Sequence, residues 1–273
     1  MIILVAHSTA SIYAQNNLIK FQVGNLYGYR NSKTQKVIFE PKFSYAEEFK
    51  DGLAVVQEDN GINSSNLSGG FRIIKENGSF LNEDVYGSAN NLGKGLVVIS
   101  KAGNTDADRK QGMVTFGTSM VGIINNEGQM ILPCEYNSIG NISDSLIVVS
   151  QGTMKISYGV IDLKGNFILP LQNIFKIDEF QCGVAIIRKQ NQVGLLGKNG
   201  QILIDPAGSN FYSISKFNKF CIAEITTMNS RYGLINSDGK IIVEPTNTRS
   251  SGLSDKGVTY KEAEYNGNGT KKK

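Results

Sequence analysis

The stretch Tyr232-Gly-Leu-Ile-Asn-Ser-Asp-Gly-Lys-Ile-Ile-Val-Glu-Pro245 decides how the rest of the chain is read. Its Gly233, Gly239 and Lys240 invite comparison with a phosphate-binding loop. Such a loop has four residues between its glycines, continues Lys-Ser or Lys-Thr and opens a helix. Here five residues separate the glycines, Ile241 follows the lysine, and a β-branched run comes next. Two short apolar runs around Asn-x-x-Gly are the pattern of a β-hairpin, in which Asn caps the turn and Gly supplies a positive φ.

The same pattern recurs. VGLLGKNGQILIDP (193–206), YGVIDLKGNFILP (158–170) and VGIINNEGQMILP (121–133) match it closely, YGYRNSKTQKVIFEP (27–41) more loosely, and FRIIKENGSFLNED (71–84) least well. The six anchors are Gly28, Arg72, Gly122, Gly159, Gly194 and Gly233, spaced 35 to 50 residues apart, a spacing typical of solenoids, propellers and arrays. The lysine after the turn is Gln129, Asn166 and Gln201 in the three closest copies, so a hairpin explains the motif better than a ligand site.

A second block follows each anchor: GLAVVQ (52–57), GLVVIS (95–100), SLIVVS (145–150), GVAIIR (183–188), CIAEIT (221–226) and GVTYKE (257–262). A hydrophobic residue precedes it each time: Phe49, Leu92, Ile142, Phe180, Phe217 and Leu253. All five prolines, Pro41, Pro133, Pro170, Pro206 and Pro245, fall in one slot of the repeat, where they are expected to end the second strand because proline cannot donate to a ladder. About ten residues of loop or single helical turn, such as KFSYAEEFKD (42–51), should then lead to the third strand. The expected fold is all-β, about six three-stranded units in an open curved β-solenoid, with a closed six-bladed propeller as the alternative.

These units resemble the WG repeat, a bacterial β-repeat family named for a Trp-Gly pair at the anchor. The shared grammar is aromatic-Gly, two apolar residues, Asn/Asp-x-x-Gly, an apolar strand reaching Pro, then Phe-x-x-Gly-Leu-Ala-Val-Val, and residues 27–56 carry it most completely. This chain has no tryptophan; Tyr27, Tyr158, Tyr232, Phe71, Val121 and Val193 fill the slot. The resemblance implies a fold class more than an activity.

Composition narrows the function. Charged residues are 19% and hydrophobic ones 40%, ordinary for a soluble domain. The net charge is +4, but Lys271, Lys272 and Lys273 supply three of those charges in a basic tail (263–273) expected to be disordered. No basic patch for nucleic acid and no apolar stretch of membrane-spanning length appears. The single histidine, His7, argues against triads and histidine-ligated metals, and no cofactor motif is present. Residues 1–14, MIILVAHSTASIYA, carry no charge and read as an export signal lacking its basic region, which implies a periplasmic or extracellular protein; a hydrophobic first strand and a cytoplasmic protein are the alternative. The repeat array then covers 15–262. Cys182 and Cys221 occupy adjacent slots of consecutive units and can pair if their geometry permits.

Insertions in a repeat array tend to gather on a binding face. Two junctions are long, QEDNGINSSNLSGG (57–70) and SKAGNTDADRKQGMVTFGTSM (100–120), and both join a third strand to the next unit's first. Asn63 and Asn66 in one, and Asn104, Asp106, Asp108, Arg109 and Lys110 in the other, are the candidate contacts to a protein or glycan partner. Asn104, Asp106 and Asp108 alternate like calcium ligands, but Arg109 stands where that loop needs Gly and Thr115 where it needs Glu, so the segment reads as a solvated polar loop. The paired acids Glu47 and Glu48, and Asp178 and Glu179, precede third strands; an enzyme such as a glycan hydrolase on a repeat scaffold is the alternative to a non-catalytic binding module.

Overall fold

The computed structural model describes residues 18–59, 70–101, 120–173, 176–246, 253–254, 258–260, 263–265 and 270–271. The described residues are almost entirely antiparallel β-structure, with one short 3-10 turn at Pro206–Gly208. The chain divides into two compact units, residues 1–117 with 124–129, and residues 118–123 with 130–273.

In the first unit β1 (Leu18–Val23), β2 (Leu26–Asn31), β3 (Val37–Ala46), β4 (Leu53–Glu58), β5 (Phe71–Lys75), β6 (Tyr86–Gly93) and β7 (Leu96–Lys101) follow one another as a meander. Strand β8 (Val121–Asn125) straddles the division, and β9 (Met130–Tyr136) lies in the second unit. There the strands form three four-stranded sheets. The first holds β10 (Ser138–Ile139), β11 (Leu146–Gln151), β12 (Ser157–Asp162) and β13 (Phe167–Gln172). The second holds β14 (Lys176–Ile177), β15 (Val184–Lys189), β16 (Gln192–Gly197) and β17 (Ile202–Ile204). The third holds β18 (Phe211–Ile214), β19 (Ile222–Thr227), β20 (Tyr232–Asn236) and β21 (Ile241–Thr246). A final hairpin pairs β22 (Val258–Tyr260) with β23 (Ala263–Tyr265), so the segment expected to be a disordered tail begins in a strand.

Two expectations are corrected here. The strands β1 to β9 form one continuous nine-stranded sheet, and the three sheets that follow contain four strands, not three, because the segment after the proline pairs with the third strand instead of looping. In the first unit that segment is the far half of β3, whose Phe43 faces both Tyr27 of β2 and Glu58 of β4. Elsewhere it forms the short strands β10, β14 and β18. Each four-stranded sheet therefore combines the third strand of one sequence unit with the first hairpin of the next.

The proline, moreover, does not end the strand. Pro41, Pro133, Pro170 and Pro245 sit inside β3, β9, β13 and β21, and Pro206 opens the 3-10 turn. Register slips between Tyr158 and Val160, and between Tyr232 and Leu234, place Pro170 and Pro245 at β-bulges, where a missing N–H costs no ladder bond. The anchor glycine lies opposite. A Cβ on Gly233 would meet Val243 O at 2.5 Å and Pro245 N at 3.1 Å, and one on Gly28 would meet Phe39 O at 2.5 Å and Pro41 N at 2.9 Å. The two most constant residues of the repeat are thus two sides of one close backbone contact.

The core lies between successive sheets. Ala185 and Ile187 of β15 pack with Leu146, Val160 and Leu169 of the preceding sheet. Their neighbour Val184 packs on the other side with Ile214, Ala223, Ile225 and Ile235 of the following one. With both faces covered, the central strands read as continuous apolar runs rather than alternating ones. The first unit is built on an aromatic core in which the rings of Phe39, Phe43 and Phe49 surround Tyr29 at 4.9–6.2 Å.

Candidate functional site

The pairing of strands gives each sheet two unlike ends. At one end sit the tight, regular turns. The backbone N–H of Gly128, Gly165, Gly200 and Gly239 donates to the carbonyl of Asn125, Asp162, Gly197 and Asn236 respectively. The two-residue tips Asp51-Gly52, Lys94-Gly95 and Cys182-Gly183 lie at the same end, every residue with positive φ, as type I′ hairpins require. At the opposite end the connections vary: residues 152–156 between β11 and β12, 190–191 between β15 and β16, and 228–231 between β19 and β20.

Both long insertions leave from the variable end. Asn63, Asn66, Asn104, Asp106, Asp108, Arg109 and Lys110 all lie outside the described residues, as do residues 1–14. The structure instead places the ends of their loops. Gln57 pairs with Phe71 across β4 and β5, so the first insertion starts and returns at this end. The N–H of Gly70, where it returns, donates to the carbonyl of Tyr86 at 3.0 Å, and Phe71 faces Tyr86 across the ladder. Lys101, where the second insertion departs, faces Tyr86 from the other side. One strand separates the two loop bases, roughly 10 Å at ordinary strand spacing.

The surface at these bases departs most from the repeat. Arg72 stands where the other units have glycine, and no proline follows. With a Cβ at the anchor the bulged second strand cannot approach, and that strand shrinks to a single bridge, Ile74 with Phe80. The Arg72 guanidinium lies 3.4 Å from the centre of the Phe80 ring, 3.5 Å from Glu58 and 3.3 Å from Glu83. Lys42 joins Glu58 at 3.1 Å, giving a row of alternating charges. Tyr45, 42% exposed, meets Phe71 edge-on at 5.7 Å beside that row. Such a surface offers hydrogen bonds in both directions and an aromatic contact, the means by which a peptide or sugar chain is held. Sequence reading treated this unit as a degenerate copy; the signal for more was the arginine at a glycine position next to two insertions.

The paired acids are engaged elsewhere. Both Nε and an Nη of Arg188 donate to Asp178, at 3.0 and 2.7 Å, and Glu179 accepts from the Asn141 amide at 3.0 Å. Glu47 accepts the Tyr45 hydroxyl at 3.1 Å, while its carbonyl accepts that of Tyr29 at 2.6 Å. Burial pushes the Glu47 carboxyl up, opposed by the hydrogen bonds from Tyr45 and the Asn91 backbone and by Lys20 and Lys50. Burial, reinforced by the charges of Glu48 and Glu47, drives the Tyr29 phenol up as well. Among the described residues no group of three His, Cys, Asp or Glu is placed to hold a metal, and no helix is long and apolar enough to cross a membrane.

A disulfide, open as a possibility on sequence grounds, joins Cys182 to Cys221, whose Cα atoms are 5.5 Å apart. Cys134 is free.

No curated protein matches the sequence. Among solved structures the chain is similar to a eukaryotic initiation factor (10% identity, TM-score 0.47, covering 85% of this chain and 63% of that one). It is also similar to Hsv2p of Kluyveromyces lactis (10%, 0.40, 83% and 80%) and to a putative dipeptidyl aminopeptidase IV from Bacteroides ovatus (12%, 0.38, 94% and 50%). The family described as WG containing repeat matches residues 27–61, 122–152, 158–192 and 232–246. Those stretches carry the Gly–Pro contact and the hairpin turns described above, and over these four stretches the chain carries WG repeats, in a sequence that has no tryptophan.

Proposed function

We propose that this protein is a non-catalytic repeat scaffold that holds a protein or surface glycan at the end of the first unit from which its two long insertions depart. The observation that carries the reading is the placement of Gly70 and Lys101 on either side of Tyr86, which brings the bases of both insertions together. Constant turn chemistry occupies the opposite end, so length variation is confined to one side, as in repeat proteins whose loops bind. The ties on Asp178 and Glu179 favour binding over acid–base chemistry, since catalytic carboxylates need an open face toward substrate.

Removing residues 102–116 tests this. The trimmed chain is expected to unfold at the same temperature as the full one. It should lose the crosslinks that a photoreactive residue at position 63 forms in producing cells, and any signal on a glycan array. A control probe at Lys33, in the regular turn at the other end, should crosslink to nothing specific. Undiminished crosslinking after the deletion, or crosslinks centred on position 33, would refute the placement.

We further propose that the protein acts outside the cytoplasm. The uncharged residues 1–14 have the character of an export signal, and a disulfide persists in oxidising compartments. The intact mass of protein purified from its native host is expected to lack the leader; retention of residues 1–14 would place it in the cytoplasm.

A further inference from the structure

At the regular end of the sheets a carboxylate on one hairpin tip is tied to another tip at two junctions. Asp51 accepts the backbone N–H of Lys94 on its Oδ2 at 2.7 Å, and Asp144 accepts that of Gly183 at 2.5 Å. Asp51, Asp144 and Cys182 hold the same place, the first residue of a tip, with φ of 49°, 48° and 58°. At the junction after Asp144–Gly183 the carboxylate is replaced by a thiol, and the hydrogen bond by the covalent bond to Cys221, itself at φ 59° where its turn would take glycine. Both cysteines are half-buried, and Cys182 packs against the edge of the apolar cluster that joins the two sheets. Beside the bond, Gln181 donates to the Phe217 carbonyl at 2.6 Å and accepts the Phe217 N–H at 3.1 Å.

We propose that the Cys182–Cys221 bond is a reducible latch on the sheet formed by β18 to β21. The sister junctions at Asp51 and Asp144 hold without a covalent tie, through hydrogen bonds and apolar packing, so a disulfide is not a requirement of the fold. Neither cysteine is fully buried, which gives an external dithiol an approach to the bond. In the opening step one thiolate of that dithiol attacks either sulfur, and the Cys182–Cys221 bond breaks to give a mixed disulfide and one cysteine thiolate, which takes a proton. The second thiol of the reductant then displaces the remaining cysteine. The products are two cysteine thiols and the reductant's own disulfide, a transfer of two electrons and two protons. Opening leaves two cysteines in the left-handed region with no carboxylate in the slot, a weaker junction than either sister.

Hydrogen exchange on the full chain tests the latch. After dithiothreitol, the amides of Ile222–Thr227 and Tyr232–Asn236 are expected to exchange about tenfold faster, while those of Leu146–Gln151 and Ser157–Asp162 keep their rates. The pair C182S/C221S should exchange like the reduced protein. The pair C182D/C221G rebuilds the sister slot, so it should exchange close to the oxidised rate and ignore the reductant. Equal rates in the two redox states would overturn the proposal, as would faster exchange throughout the chain or a bond that dithiothreitol leaves intact under native conditions.

Discussion

Glycine is used in this repeat for two separable reasons. At Gly233 the constraint is space: a methyl group would sit 2.5 Å from the Val243 carbonyl oxygen, and backbone on both sides of the bulge must shift. Gly233→Ala is expected to destabilise the chain by about 1–3 kcal/mol. At Gly52 nothing lies within 4 Å, but φ is 84°, so Gly52→Ala should cost about 1 kcal/mol through backbone strain alone. Urea unfolding of the two variants distinguishes these mechanisms, because enlarging the partner bulge can relieve only the first. Asp162 illustrates the turn's electrostatics. Slight burial opposes ionisation, but hydrogen bonds from the Asn166 side chain and the N–H groups of Asn166 and Lys164 outweigh it and hold the carboxyl below its ordinary range. A depressed folded pKa means its contribution is complete at neutral pH and fades as pH falls below about 4, through the folded value. Asp162→Asn keeps the acceptor, as Asn125 and Asn236 do in sister turns, and should leave neutral stability nearly unchanged while removing this acid sensitivity. Asp162→Ala should lose about 0.5–1.5 kcal/mol at pH 7.

At the scale of the element, proline at a bulge behaves differently from proline at a strand end. Pro170 is exposed within β13 and faces the slip in register opposite Gly159. Because its nitrogen has no ladder role, Pro170→Ala should keep the sheet and cost about 0.4–1 kcal/mol, chiefly through the freer unfolded chain. Thermal unfolding would show it; a loss of several kcal/mol would mean that the ring itself packs something essential. The second unit of the repeat argues the same point in reverse. Where Arg72 replaces the anchor glycine, the bulged strand is absent and an arginine–phenylalanine stack occupies its place. The aromatic slot follows a similar logic. Tyr27, Tyr158 and Tyr232 lie first or second in their strands and half-buried, so a residue that packs one ring face suffices where the family uses tryptophan.

For the whole molecule, the periodic glycines, prolines and apolar runs were legible without coordinates, and so were the all-β class, the hairpins and the positions of the two insertions. These are local quantities: turn chemistry and short apolar runs report φ and strand character over a few residues. The fourth strand of each sheet was not legible, since segments such as Lys42–Ala46 alternate weakly and become strands only when the next third strand offers its edge. Nor was the phase of the sheets, which borrow strands from neighbouring sequence units. The candidate surface was visible only as two long loops. Their convergence on Tyr86, and the charged row at Arg72 beside them, arise from strand order across residues far apart in the chain. The disulfide belongs to the same class: two cysteines one unit apart were evident, but only the packing of successive hairpin tips brings their Cα atoms to 5.5 Å. The sequence by itself determined what each repeat is, because backbone conformation is set by neighbours along the chain. Tertiary structure decided which repeats touch and what they present, because contacts between sheets depend on distances that no local pattern encodes.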